Sequence, residues 1–335
     1  AVLNRAKFYA ENSQISIGDL HAENSQMSVK GDLNVSGRME FYGGTFSADA
    51  LQVKADKEAF QIIRFCDGAK AEVKEFSSDG VVILDINTSD YDISKGQGAD
   101  VTIQKIALSN ESEIQLEKGS LHSDTVKLDT KAQLFANNGT KAEIQKMTMD
   151  NGSRLDVGSY DDDDMVVKEA ADVTVHQLDM KGNSTITIEN GKLNSDQITM
   201  DKSTIDIAGV GTLIANKMTL NNTTLSLSGI QNEVTTLALD ADEDIQPLDV
   251  TQNGVTVEVK DTLDMNGGKL QVNDGSNLIT NQMKLANYSK VNVVGLGSSY
   301  TINGKENVMS GNAKIAATNG GSVTMAEGAG IKAEA

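Results

Sequence analysis

Cysteine, proline and aromatic residues are nearly absent from this 335-residue chain: one Cys, one Pro, no Trp, and 4% Phe and Tyr together. Cys66 has no second cysteine, so no intrachain disulfide and no zinc site built of cysteines can form. Scarce aromatics argue against an ordinary enzyme pocket, which is commonly lined with such side chains. Positive charge is also short. Lys+Arg number 29 against 48 Asp+Glu, a net charge of −19. A surface of that sign repels phosphate backbones and anionic bilayers, which excludes nucleic acid and direct membrane contact as partners. No apolar run approaches the roughly 18 residues of a membrane helix, and the start Ala1-Val-Leu-Asn-Arg5 lacks the layout of a signal peptide. The chain reads as a piece of a longer precursor. Hydrophobic residues at 39% are nevertheless too many for a disordered chain.

What the sequence has in abundance is repetition. A glycine followed by alternating apolar residues recurs as Gly119-SLHSDTVK-Leu128, Gly191-KLNSDQIT-Met200, Gly211-TLIANKMT-Leu220 and Gly44-TFSADALQ-Val53. Taking the last apolar residue as an anchor gives Leu108, Leu128, Met149, Met180, Met200, Leu220, Leu239, Met265 and Leu285, whose numbers differ by 20, 21, 31, 20, 20, 19, 26 and 20 in turn. A second alternating pair follows most anchors, as in Leu134/Ala136, Ile186/Ile188 and Ile205/Ile207. Alternation with a period of two is strand geometry, since successive side chains point to opposite faces. Segments this short gain partners by coiling, each pairing in parallel with its counterpart one turn away. The expected fold is therefore all-β: a right-handed parallel β-helix with three sides and coils of about 20 residues, running through 1–335 as one body of about fifteen coils.

Polar positions fit the same scheme. Asp124, Gln145, His176, Asp196, Asn216, Thr235, Asp261 and Asn281 stand four residues before successive anchors and form a polar ladder. The methionines Met149, Met180, Met200, Met218, Met265 and Met283 fall at strand spacing and read as core. Near the start, AENSQISIGDL (10–20) and AENSQMSVKGDL (22–33) follow each other almost verbatim, which predicts duplicated strand-turn units shorter than a full coil. The period breaks in three places, expected as irregular coils or an excursion at 54–100 and as acidic loops at 158–170 and 240–255, the last with Pro247.

MTMDNGSRLDVG (147–158) and MTLNNTTLSLSG (218–229), with the coil length, the lack of Cys and Pro and the acidic Asn/Thr/Ser/Gly surface, resemble the passenger domains of bacterial autotransporters. The resemblance covers roughly residues 100–295 best. It implies an extracellular or cell-surface adhesin, exported with the help of a separate C-terminal β-barrel translocator, that binds either itself or a host surface glycan or matrix protein. An inert stalk carrying a missing functional domain is the second reading.

Catalytic readings find little to stand on. The GDSGS segment usual in protease members of the resembled family is absent, as is any G-x-S-x-G elbow, and His21, His122 and His176 all fall in the repeats as ladder or surface residues. A polysaccharide-active β-helix enzyme is the third reading, but its G-H-G and R-I-K segments are missing and the four arginines lie far apart. No catalytic residue is assigned and no enzyme is expected. Asp161, Asp162, Asp163 and Asp164, and Asp240, Asp242, Glu243 and Asp244, offer oxygen ligands to Ca²⁺, without the D-x-D-x-D-G spacing of a formed calcium loop. No other cofactor is expected.

Overall fold

A computed structural model describes residues 1–54, 61–88, 97–158, 169–189, 191–208, 211–221, 224–227, 232–241, 248–250, 256–267, 269–272, 275 and 277–333. Every regular element among them is a β-strand, and the strands pair in parallel, from Val2–Asn4 on Leu20–Val35 to Asn307–Met309 on Ile331–Ala333. The fold is a parallel β-solenoid with coils of roughly 21 residues. Two compact units divide it, Ala1–His176 and Gln177–Ala335.

In the first unit one coil serves as the pattern. Strand Ser120–Leu128 pairs with Asp100–Leu108 on one side and Lys141–Met149 on the other, and Gln133–Asn137 pairs likewise with Glu113–Glu117 and Arg154–Gly158. Leu121, Ser123, Val126, Leu128, Leu134 and Ala136 point inward and are at most 6% exposed. Burial alternates along Ser120–Leu128 except at Asp124 and Thr125, where two consecutive residues face water. That phase slip bends the strand into two sides, and Gln133–Asn137 supplies the third. The polar ladder residues therefore sit at a corner, where the pairing skips Asp124 and Gln145.

A second corner follows each anchor. Asn110/Glu111, Thr130/Lys131 and Asn151/Gly152 all take positive φ, between 49° and 75°. These pairs stack through Glu111 N to Thr130 O at 3.1 Å and Lys131 N to Asn151 O at 3.0 Å. Behind them a small buried residue closes the corner: Ser112, Ala132 and Ser153, each wholly buried. The first unit gathers its aromatic core near its start, where Phe41, Phe46 and Phe65 meet with ring centroids 5.2–6.0 Å apart. Cys66 lies in the same core, its Sγ 3.6 Å from the Phe41 carbonyl, and burial pushes its thiol up to about 12.

The irregular stretch 54–100 resolves into two coils. Phe46, Ala71 and Val101 stand on successive rungs in direct register, although the chain between them is longer than the basic repeat. The described strands on either side of the longer intervals keep their register; residues 55–60 and 89–96 are outside the described set. The longest anchor interval behaves alike: after 159–168, which are not among the described residues, the chain rejoins the stack with Gly139 N to Glu169 O and Asp172 N to Thr140 O, both at 2.9 Å.

The duplicated N-terminal motif is the one repeat that the structure re-reads. Its two copies do not stack on each other: Ala10 lies on Val29, whereas Ala22 lies on Phe41. Full coils run there as elsewhere, with Val2 on His21 and Leu20 on Met39. The copies mark different corners. Asn12 (φ 50°) interrupts the pairing between Glu11 and Ser13, and Asn24 (φ 46°) stands between the third side and the first. Asn tolerates this left-handed conformation better than most residues, which is why the same pentapeptide suits both corners.

In the second unit Lys192–Asp201, Thr212–Asn221, Asn232–Ala241, Thr256–Gly267 and Asn277–Ala286 pair in succession. The longer interval from Leu239 to Met265 keeps the two opposite each other, with a register shift between Val234 and Thr236. A side row Leu248–Val250, Lys269–Val272, Lys290–Val294 and Lys314–Thr318 completes these coils. Tyr300 is wholly buried, its hydroxyl 3.1 Å from Thr280 Oγ1, and burial raises its pKa.

Candidate functional site: the outer row of the third side

On the third side of the first unit, one outward residue per coil lies in direct register: Val2, His21, Glu40, Arg64, Asp85, Gln115, Phe135 and Asp156. Most are the middle of a short apolar-x-apolar strand, such as Leu84-Asp85-Ile86 and Leu134-Phe135-Ala136. The flanking residues are held in the core, so the middle one is fixed facing out.

Opposite charges sit on adjacent rungs. Arg64 Nε donates to Asp85 Oδ2 at 2.7 Å, and Arg64 also lies 3.5 Å from Glu40 Oε1, which Arg38 contacts at 2.7 Å. The side chains of Glu40 and Asp85 are only 13% and 5% exposed. Burial pushes the Asp85 carboxyl above its ordinary value and the Arg64 guanidinium pulls it part of the way back. Burial disfavours the charge on Arg64, but the hydrogen bonds and charges of Asp85 and Tyr42 together outweigh it, and the Arg64 pKa is raised. His21 stands between Glu23 (3.1 Å) and Glu40 (3.4 Å), with the Tyr42 ring 5.2 Å from its own; the Glu23 hydrogen bond leads in raising its pKa. Desolvation raises Tyr42, whose hydroxyl donates to Glu40 at 3.2 Å.

Beyond Asp85 the row opens into a groove of about 360 Å³ lined by Asp85, Asn87, Glu113, Gln115, Glu117 and Phe135, with Asn137 and Asn138 at its end. Phe135 supplies the row's one phenyl ring and is partly exposed. Gln115 Nε2 donates to Glu113 Oε2 at 2.8 Å and Asn138 Nδ2 to Glu117 Oε1 at 2.9 Å. Asp156, on the rung after Phe135, accepts from Arg154 Nε at 2.7 Å. Asn87 Oδ1 is buried at the groove and has no hydrogen-bond partner among the described residues. A second hollow of about 260 Å³ lies on the first side over Ser28, Ser47 and Glu72, beside the Lys74–Asp49 ion pair at 2.7 Å.

Of the residues singled out from sequence, Asp161 to Asp164, Asp242, Glu243 and Asp244 lie outside the described residues. Asp240 is in the strand Asn232–Ala241, its backbone in register between Asn221 and Asn266. Among the described residues no three His, Cys, Asp or Glu side chains are grouped to hold a metal ion. His122 and His176 flank Glu143 at 3.6 and 3.8 Å on an outer face. Sequence reasoning passed over the outer row because the intervals between its members, by subtraction 19, 24, 21, 30, 20 and 21 from His21 to Asp156, do not hold one period. The signal was present in the apolar residues that flank its members.

The site is thus a shallow groove on the flank of a β-solenoid, the class that fold and face define. Comparison of the chain with family models, curated proteins and solved structures returned no match.

Proposed function

We propose that this chain is an adhesin module of the autotransporter passenger type, displayed on or released from a bacterial surface, that attaches cells through the lateral faces of its solenoid. The observation that carries the reading is the groove beside Phe135, set next to the ion-paired part of the outer row. A rigid scaffold that holds one outward residue per rung in register suits repeated weak contacts with an extended partner, and their sum along the row supplies avidity. The partner is a second copy of the chain or a host surface glycan or matrix protein. Calcium bridging through Asp161 to Asp164 or Asp240 and Asp242 belongs to this reading as an optional contribution. Such a module performs no catalysis, and its export relies on a separate translocator.

The test is attachment and clumping of beads coated with the purified chain, alone and on cell layers, with and without Ca²⁺. Concentration-dependent clumping or attachment supports the proposal. Beads that neither clump nor attach under any of these conditions overturn it in favour of an inert stalk.

A further inference from the structure

We infer that the groove over Phe135 is a subsite for a neutral saccharide chain, an assignment that rests on the adhesin reading and names the ligand class of its site. Three features of the groove select the ligand. First, three of the seven polar side chains that line it, Asp85, Glu113 and Glu117, are carboxylates that only accept, and two of the four amides beside them already spend a donor on those carboxylates. A carboxylate offers about four lone-pair sites, and the hydrogen bonds from Gln115 to Glu113 and from Asn138 to Glu117 occupy a minority of them. Asn87 adds a further polar side chain to the lining, with its Oδ1 buried and without a hydrogen-bond partner among the described residues. The ligand must therefore be rich in donors. Second, Phe135 presents a partly exposed ring with no polar atom of its own, flanked in register by Gln115 and Asp156. Such a ring wants an apolar face, which a pyranose supplies through its axial C–H groups while its hydroxyls point sideways toward the acceptors. Third, charge excludes the acidic sugars. Asp85, Glu113 and Glu117 set three carboxyl groups in the groove and Asp156 stands on the rung after Phe135, while the guanidinium groups of Arg64 and Arg154 are already engaged by Asp85 and Asp156. A uronate, sialylated or sulfated chain would meet uncompensated negative charge.

Size agrees with the assignment. At about 360 Å³ the groove lies near the lower end of ligand sites, roughly 300–1,000 Å³, so it holds a short stretch of chain rather than a bulky group. A basic peptide is the competing occupant, since an ammonium also donates and also sits over an aromatic ring. The sugar is favoured because Glu113 and Glu117 already receive amide donors rather than a cation, and because the apolar ring and the acceptor rim are used together only by a ligand with one apolar face and donors around its edge.

The full chain is titrated calorimetrically with neutral gluco-, manno-, galacto- and N-acetylglucosamine oligosaccharides, with tetragalacturonate and with a tetralysine peptide, alongside the bead attachment assay. Expected are saturable binding of a neutral oligosaccharide with a Kd of about 1 mM or tighter, no binding of tetragalacturonate, and a loss of about tenfold or more in Phe135→Ala at an unchanged melting temperature. Phe135→Tyr, which keeps the ring, should retain binding. Absence of binding by every neutral oligosaccharide, or binding that survives Phe135→Ala undiminished, overturns the assignment, as does tetralysine binding abolished by that substitution while no sugar binds. Beads that still attach without any sugar binding overturn the saccharide subsite and leave the adhesin reading standing, so the two failures are distinguishable.

Discussion

Arg64 and Asp85 meet across adjacent rungs with Nε and Oδ2 at 2.7 Å. The pair joins two coils of the irregular stretch 54–100, and its carboxylate is 5% exposed. Removing one partner strands the other. Arg64→Met should cost about 2–3 kcal/mol, because it leaves a buried carboxylate uncompensated, whereas Arg64→Met with Asp85→Leu should cost less than either Arg64→Met or Asp85→Leu alone. Urea denaturation of the three variants measures this; a double variant as unstable as the sum of the singles would refute the pairing as the source of the loss.

His21 supplies a pH dependence whose sign is fixed by its neighbours. Its folded pKa is raised above the ordinary 6.5, chiefly by the Glu23 hydrogen bond, with Glu40 assisting. The contribution to stability is therefore complete below about pH 6.5 and is lost as pH climbs through the higher folded value. An NMR titration should place the His21 midpoint above 6.5, and Glu23→Gln should bring it down. A midpoint at or below the ordinary value in the native chain would mean that these carboxylates do not hold the charged ring.

How much of this was legible beforehand differs by level. The anchors and their alternating partners pointed to the solenoid, because a packed interior forces one apolar residue at every second position, and Leu108, Leu128, Met149, Met180, Met200, Met265 and Leu285 are all buried. Turns were harder. Thr130/Lys131 takes the same left-handed pair as Asn110/Glu111 and Asn151/Gly152, and neither Thr nor Lys advertises a positive φ. There the stacked backbone hydrogen bonds override local preference. The outer row escaped because the longer intervals change its spacing without disturbing its register. The N-terminal duplication misled because two near-identical segments follow each other at less than one coil, while stacking sets Ala10 on Val29 and Ala22 on Phe41.

Ser112 shows what the buried corner residues do. Its hydroxyl lies 2.7 Å from both the Gly80 and Ser109 carbonyls, 3.0 Å from Ser78 Oγ, and accepts from Val82 N at 3.3 Å. Ala132 occupies the equivalent position one coil on, so alanine fits the space. Ser112→Ala should accordingly cost the hydrogen bonds and no packing, about 1–3 kcal/mol. Chemical denaturation reads the loss, and a wild-type midpoint in Ser112→Ala would show that the hydroxyl contributes nothing net.

Gly44 tests whether the corner between the third side and the first is set by backbone conformation. It follows the column Arg5, Asn24, Gly43 and Asp67, all at positive φ between 46° and 66°, and itself has φ 81°. A Cβ built there would stand 2.2 Å from the Ser25 carbonyl oxygen of the neighbouring coil, so alanine meets both an unfavourable backbone region and an immovable atom. Gly44→Ala should destabilise the chain by about 1–3 kcal/mol or more. Asn24→Gly, at a position where glycine is already used one coil later, should change stability by only a few tenths of a kcal/mol. The pair of variants separates the causes: the corner requires left-handed backbone at Asn24 and an absent side chain at Gly44. Equal melting temperatures for Gly44→Ala and the native chain would show that neighbouring coils can part enough to admit a methyl group, and the rigid-stack account of this side would fall.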